Sequence, residues 1–95
     1  MWRIEEHRRV DKQLGRAQAE IVKHYEKWKD VARISGPSGL KLIKGFHDEA
    51  LRGKLEGFRS SRLSLQFRVI YRVVPARQLF QVTHVTPHEY RKVSK

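Results

Sequence analysis

An α+β domain is predicted by three observations. One helical stripe of apolar residues fills the first half of the chain, period-two alternation fills the second, and glycine or proline punctuates the junctions. The predicted order is an N-terminal strand, an α-hairpin and an antiparallel three-stranded meander, with the helices packed on one face of the sheet. Residues 1–95 are read as a single domain, since that length holds one two-layer core and no second module.

Residues 2–5 alternate enough for an opening strand. Residues 7–14 carry Val10 and Leu14 four apart, a short amphipathic helix that Gly15 interrupts. Residues 17–33 form the clearest element. Ala17, Ile21, Tyr25, Trp28 and Val31 or Ala32 recur at steps of three and four, which places them on one helix face. That spacing makes Tyr25 and Trp28 core anchors rather than a base-stacking platform. Gly36-Pro37-Ser38-Gly39 predicts the end of the helix and a loop. Residues 40–51 show no clean period, and Glu49 falls in the segment leading into the first meander strand.

From Leu55 the period changes to two, with Leu55, Leu63 and Leu65 on one parity and Arg62 on the other. Phe67, Val69, Tyr71 and Val73 then alternate with Arg68, Ile70 and Arg72, which predicts one packed face and one open face. Residues 75–78 read as a turn and 79–86 as the last strand. Its parity is ambiguous, because Phe80 and Val82 compete with Leu79 and Val85 for the core. Pro87 cannot donate to a ladder and ends the strand, leaving a polar tail over 88–92.

Composition narrows the function. The formal net charge is +11, and residues 51–95 hold ten basic and two acidic residues, so the excess lies in the half that reads as sheet. A concentrated basic face meets a polyanion or an acidic protein. The absence of cysteine excludes a disulfide scaffold and a thiolate zinc site. With no apolar run near twenty residues and no signal-peptide pattern, a cytoplasmic location is expected. His84 and His88 are four apart, but Pro87 precludes the helix that would put both on one face, so no metal site is expected there.

Glu49-Ala50-Leu51-Arg52-Gly53, then Leu55-x-Gly57-Phe58-x-Ser60-x-Arg62-Leu63, Arg68-Val69-Ile70-Tyr71 and Val85-Thr86-Pro87-His88-Glu89-Tyr90-Arg91 resemble the RelE/ParE toxin superfamily of type II toxin–antitoxin systems. The ending is most similar to its YoeB-like ribonuclease branch. The resemblance spans nearly the whole chain and implies the RelE-like microbial ribonuclease fold. It also implies a ribosome-dependent endoribonuclease that cuts mRNA in the A site and inhibits translation, with no metal or other cofactor. The implied partners are the ribosome, mRNA and a cognate antitoxin. Under it, Glu49 stands where such toxins carry a general base, Arg68 where they carry a transition-state arginine, and Arg62 at a phosphate-binding arginine. His88 and Tyr90 correspond to the catalytic tail. Lys54, Arg59, Arg72 and Arg91 are further candidates for RNA phosphate. Glu89 departs from the family pattern, since it separates a histidine and tyrosine that are adjacent in YoeB-like toxins.

These residue types suit the chemistry. A base removes the ribose 2′-OH proton, the oxygen attacks phosphorus, cations stabilise the phosphorane and an acid protonates the leaving 5′-oxygen. Arginine fits the cationic role because its planar fork holds two phosphate oxygens. Each residue also has an ordinary reading: Glu49 as a loop carboxylate, His88 as a turn residue, Arg68 and Arg72 as strand charges that discourage edge pairing. His84 is expected to be structural. Two other functions fit the fold and charge, a ParE-like DNA gyrase inhibitor and a non-catalytic basic nucleic-acid-binding domain.

Overall fold

The computed structural model describes residues 1–87; His88, Tyr90 and Arg91, expected to serve the site, lie outside them. Strand β1 (Arg3–Glu6) leads into helix α1 (Arg8–Gly15) and helix α2 (Ala19–Leu42). Strands β2 (Glu49–Ala50), β3 (Arg59–Arg62), β4 (Phe67–Val74) and β5 (Leu79–Pro87) follow, with single 3₁₀ turns at Lys44–Phe46, Gly53–Leu55 and Pro75–Arg77. The sheet is five-stranded in the order β1-β5-β4-β3-β2. Pairings β2–β3, β3–β4 and β4–β5 are antiparallel, so the meander has four strands rather than the expected three, and Glu49 lies in its short edge strand rather than in the segment leading into it. The opening strand adds to β5 in parallel, so the sheet is mixed.

The apolar stripe of α2 behaves as its spacing predicts. Ile21, Tyr25, Trp28 and Ala32 are buried against Leu63, Val69, Tyr71, Phe80, Val82 and Val85 of the sheet side. Trp28 sits at the centre, with the rings of Tyr71, Phe80 and Tyr25 at 5.2, 5.8 and 5.9 Å. Tyr25 keeps a polar outlet, its hydroxyl donating to Glu6 at 2.5 Å and so tying α2 to β1.

Three expectations are corrected. The Gly36–Gly39 stretch is not a loop. The helix breaks only at Gly36 (φ 66°, ψ −165°) and resumes through Pro37 to Leu42. Proline is well placed there, because a first helical turn needs no amide donor. Glycine at 36 is also enforced by contact, since an added Cβ would lie 2.6 Å from Trp2 Nε1. Period-two order does not begin at Leu55: that residue lies in a 3₁₀ turn, Leu63 enters the main core, and Leu65 is 85% exposed between β3 and β4. Finally, the face away from the helices is not wholly open. Ile70, Leu51 and Leu55 form a second apolar cluster there, with Phe58 packed against it.

The ambiguous parity of β5 has a physical cause. Tyr71 pairs with Val82 but Ile70 pairs with His84, so Thr83 is an extra residue at a β-bulge. The bulge flips the alternation, which lets Phe80 and Val82 before it and Val85 after it all face the same core.

Candidate active site on the sheet face away from the main core

Residues paired across a sheet share a face, and the registers lay out that face as three rows. Arg62, Arg68 and Thr86 form the first row; Glu49, Ser60, Ile70 and His84 the second. Arg72, Gln81 and Glu5 form the third, with Phe58 beside Arg72. Adjacent rows are about 7 Å apart, two residues along a strand. Glu49 sits on the edge strand, two strands and one row from Arg68. That is about 10 Å across the sheet and about 7 Å along it at the backbone. Both side chains are long enough to reach a phosphodiester lying between them.

Glu49 is exposed, whereas Arg68 is only 6% exposed. A guanidinium removed from bulk water acts more strongly on a nearby phosphate than one in solvent. Arg62 is half-buried opposite Arg68 and also borders a cleft of about 200 Å³ with His24 and Lys27. Lys54 and Arg72 are exposed, and Arg72 donates from Nε to Gln81 at 2.7 Å.

Arg59 stands apart from this set. It lies one parity away, where its Nε and a terminal nitrogen bond Asp48 at 2.8 and 2.7 Å. Ser61 donates to the same carboxylate at 2.7 Å, and so does the Tyr71 hydroxyl. The Asp48 side chain is fully buried. Burial, reinforced by the hydrogen bond and charge of Asp48, pushes the Tyr71 phenol up. For Arg59 burial opposes the charge, but Asp48 outweighs it and holds the guanidinium above its ordinary value. Arg59 is therefore held in this network, on the opposite face from Glu49 and Arg68. Sequence reasoning passed over Asp48, although the alternation that turns Glu49 outward turns its neighbour inward.

A second missed group lies beside the rows. Arg9 of α1 donates to His84 Nε2 at 2.5 Å, and its Nε donates to His7 at 3.0 Å. With Nε2 accepting, His84 Nδ1 carries the proton and donates to Thr83 Oγ1 at 3.0 Å, while Thr83 donates to Ile70 O at 3.2 Å. That chain gives buried His84 the structural setting expected of it. Next to it lies a groove of about 620 Å³, bordered among others by Glu5, Glu56, Phe58, Arg72 and Gln81. Among the described residues no three His, Cys, Asp or Glu gather as a metal-ligand group, and no helix is long and apolar enough to cross a membrane.

No family model and no curated protein sequence matches the chain. Solved structures do. An archaeal RelE–RelB complex from Pyrococcus horikoshii is 21% identical, with a TM-score of 0.73, over 93% of this chain and 96% of that one. A YoeB/ParE toxin from Agrobacterium tumefaciens is 20% identical, with a TM-score of 0.71, over 90% and 98%. The DinJ–YafQ toxin–antitoxin complex of E. coli matches at 18% identity and a TM-score of 0.71, over 90% of each chain. The chain has the RelE toxin fold. Within that fold, Glu49, Arg62, Arg68 and Arg72 lie on one sheet face, and Arg59 does not.

Proposed function

We propose that this chain is the toxin of a type II toxin–antitoxin pair, a ribosome-dependent endoribonuclease that cuts mRNA in the A site without a metal and thereby inhibits translation. The observation that carries this reading is the placement of Glu49 beside the Arg62–Arg68 row on one sheet face of a RelE fold. The net charge of +11 favours a polyanionic substrate.

In this mechanism the Glu49 carboxylate takes the 2′-OH proton and the freed oxygen attacks the adjacent phosphorus. Arg68 and Arg62 stabilise the charge that builds on the phosphorane. His88 donates a proton to the departing 5′-oxygen, and Tyr90 orients the substrate. The products are a 2′,3′-cyclic phosphate and a 5′-hydroxyl. An imidazole, with an ordinary pKa of about 6.5, is better matched to this donation than a phenol at about 10. Lys54 and Arg91 contact backbone phosphates. An antitoxin covers this surface in the resting cytoplasmic complex, a proposal supported by relatives of the same fold solved as a RelE–RelB and a DinJ–YafQ pair.

The test is to add the purified protein to programmed ribosomes and map new RNA 5′ ends. Wild type should cut within the A-site codon, also after dialysis of the toxin against a chelator. Glu49→Gln and Arg68→Ala should each lower the single-turnover rate by roughly 10²–10⁴-fold. Growth arrest with intact mRNA and blocked supercoiling would replace this reading with gyrase inhibition.

A further inference from the structure

The 620 Å³ groove lies one row beyond Glu49, on the side away from Arg62 and Arg68, and the proposed chemistry makes no use of it. Its volume suits a small ligand. Its lining combines three kinds of group. Phe58 supplies a half-buried ring that packs on Leu51, Leu55 and Ile70 and carries the Arg72 guanidinium over its face, 5.7 Å from the ring centre. Arg72 is itself braced, because its Nε donates to Gln81 at 2.7 Å and Gln81 donates in turn to Glu5 at 3.4 Å. Glu56, exposed on the loop before Phe58, adds a carboxylate to the same rim.

We infer that this groove is a nucleobase subsite and that the base it takes is guanine. A base that moves the Arg72 guanidinium from over Phe58 to its own edge stacks on the freed ring, and since aromatic faces stack any base, Phe58 supplies affinity without choice. The choice comes from the two charged groups. Guanine presents two adjacent acceptors, O6 and N7, on one edge, and these match the forked donors of an arginine such as Arg72. On its other edge the N1 and N2 hydrogens are adjacent donors, which a carboxylate such as Glu56 accepts as a pair. No other standard base offers both edges. Arg68 and Arg72 are four residues apart on β4, about 13 Å, a span that a short single strand covers. The subsite would thus read a base near the cut. Its biological meaning rests on the proposed ribonuclease function, but base binding does not.

The experiment is an NMR titration of the isotope-labelled full chain with GMP, IMP, AMP and CMP, and with inorganic phosphate as the control. GMP should bind tightest and shift Phe58, the Gln81 side-chain amide and Arg72. Phe58→Leu keeps an apolar side chain on Leu51, Leu55 and Ile70, and should weaken GMP about five- to hundredfold. Glu56→Gln should erase the preference of GMP over IMP, which lacks only the N2 amino group. Equal binding of all four nucleotides, shifts confined to Arg62 and Arg68, or a Phe58→Leu protein with unchanged GMP affinity would each overturn the subsite. Specific GMP binding by a protein that leaves ribosome-bound mRNA intact would sink the ribonuclease reading and keep the subsite. Cleavage without GMP preference would do the reverse.

Discussion

Replacing Asp48 with alanine should do more damage than any single change at an exposed arginine. The substitution leaves the Arg59 guanidinium without its counter-charge, and the Tyr71 and Ser61 hydroxyls without their acceptor. Removing one partner of a buried ion pair costs about 3–5 kcal/mol. The Arg59 side chain retains 25% exposure, so water softens the loss and the lower end, about 3 kcal/mol, is expected. In a domain whose whole stability is of order 5–15 kcal/mol this is a large share. At roughly 4–8 °C per kcal/mol, the melting midpoint should fall by about 12–24 °C. Urea denaturation followed by circular dichroism measures the same loss at equilibrium. Tyr71→Phe keeps the ring against Trp28 and Phe80 and removes only the hydroxyl, so it should cost about 1.5–3 kcal/mol. The double variant should then lose less than the sum, with a coupling of about 0.5–3 kcal/mol. Strict additivity, or an Asp48→Ala loss below 1 kcal/mol, would refute the network as a stabilising unit. Strand β2 has only two paired residues, so the same variant should also misplace Glu49 and slow any cleavage.

Alkaline pH should destabilise the fold through its phenols. Tyr25 and Tyr71 hold their protons in the folded state above the ordinary value of 10.0, by burial and then by hydrogen bonds to Glu6 and Asp48. Their contribution is therefore present below pH 10 and lost as pH rises through the window above it, because the unfolded chain releases those protons first. Tyrosinate absorbance from both residues should appear together with unfolding, and Tyr71→Phe should flatten the pH slope. Gly36→Ala should cost about 1–3 kcal/mol from backbone strain alone, and more from its contact with Trp2, read as a lowered melting midpoint. In the proposed mechanism His88→Ala should lower single-turnover cleavage on saturated ribosomes, whereas Tyr90→Phe should leave it nearly unchanged. The opposite pattern would make the phenol the acid.

Much of this architecture was legible because long periodic segments report their environment directly. The step of three and four from Ile21 to Ala32 and the alternation from Phe67 to Val73 each named a buried face that the structure contains. What escaped was non-periodic. A bulge at Thr83 mixes two parities in one strand, so β5 has no single hydrophobic phase to read. Gly36-Pro37 serves equally well as a loop or as a break followed by a new helical turn, and the indole of Trp2, remote in sequence, accompanies the second outcome. At the candidate site, resemblance singles out Glu49 but not Asp48. Its role depends on Arg59, Ser61 and Tyr71 arriving from two other strands, and a linear reading cannot see that convergence. The engagement of Arg59 by Asp48 escapes a linear reading for the same reason.

The parallel pairing of β1 with β5 has a consequence for how the protein comes into being. Arg3 lines up with Leu79 and Glu6 with Val82, so strands more than seventy positions apart close one edge of the sheet. Contacts so distant in sequence form late, after the entropy of the intervening loop has been overcome. During synthesis β1 leaves the ribosome long before its neighbour exists, and it must wait unpaired while the helices and meander assemble. The row that joins Glu5, Gln81 and Arg72 is completed by the same event. A nascent chain of this kind remains an open sheet until β5 is free, and only the finished polypeptide carries the complete surface.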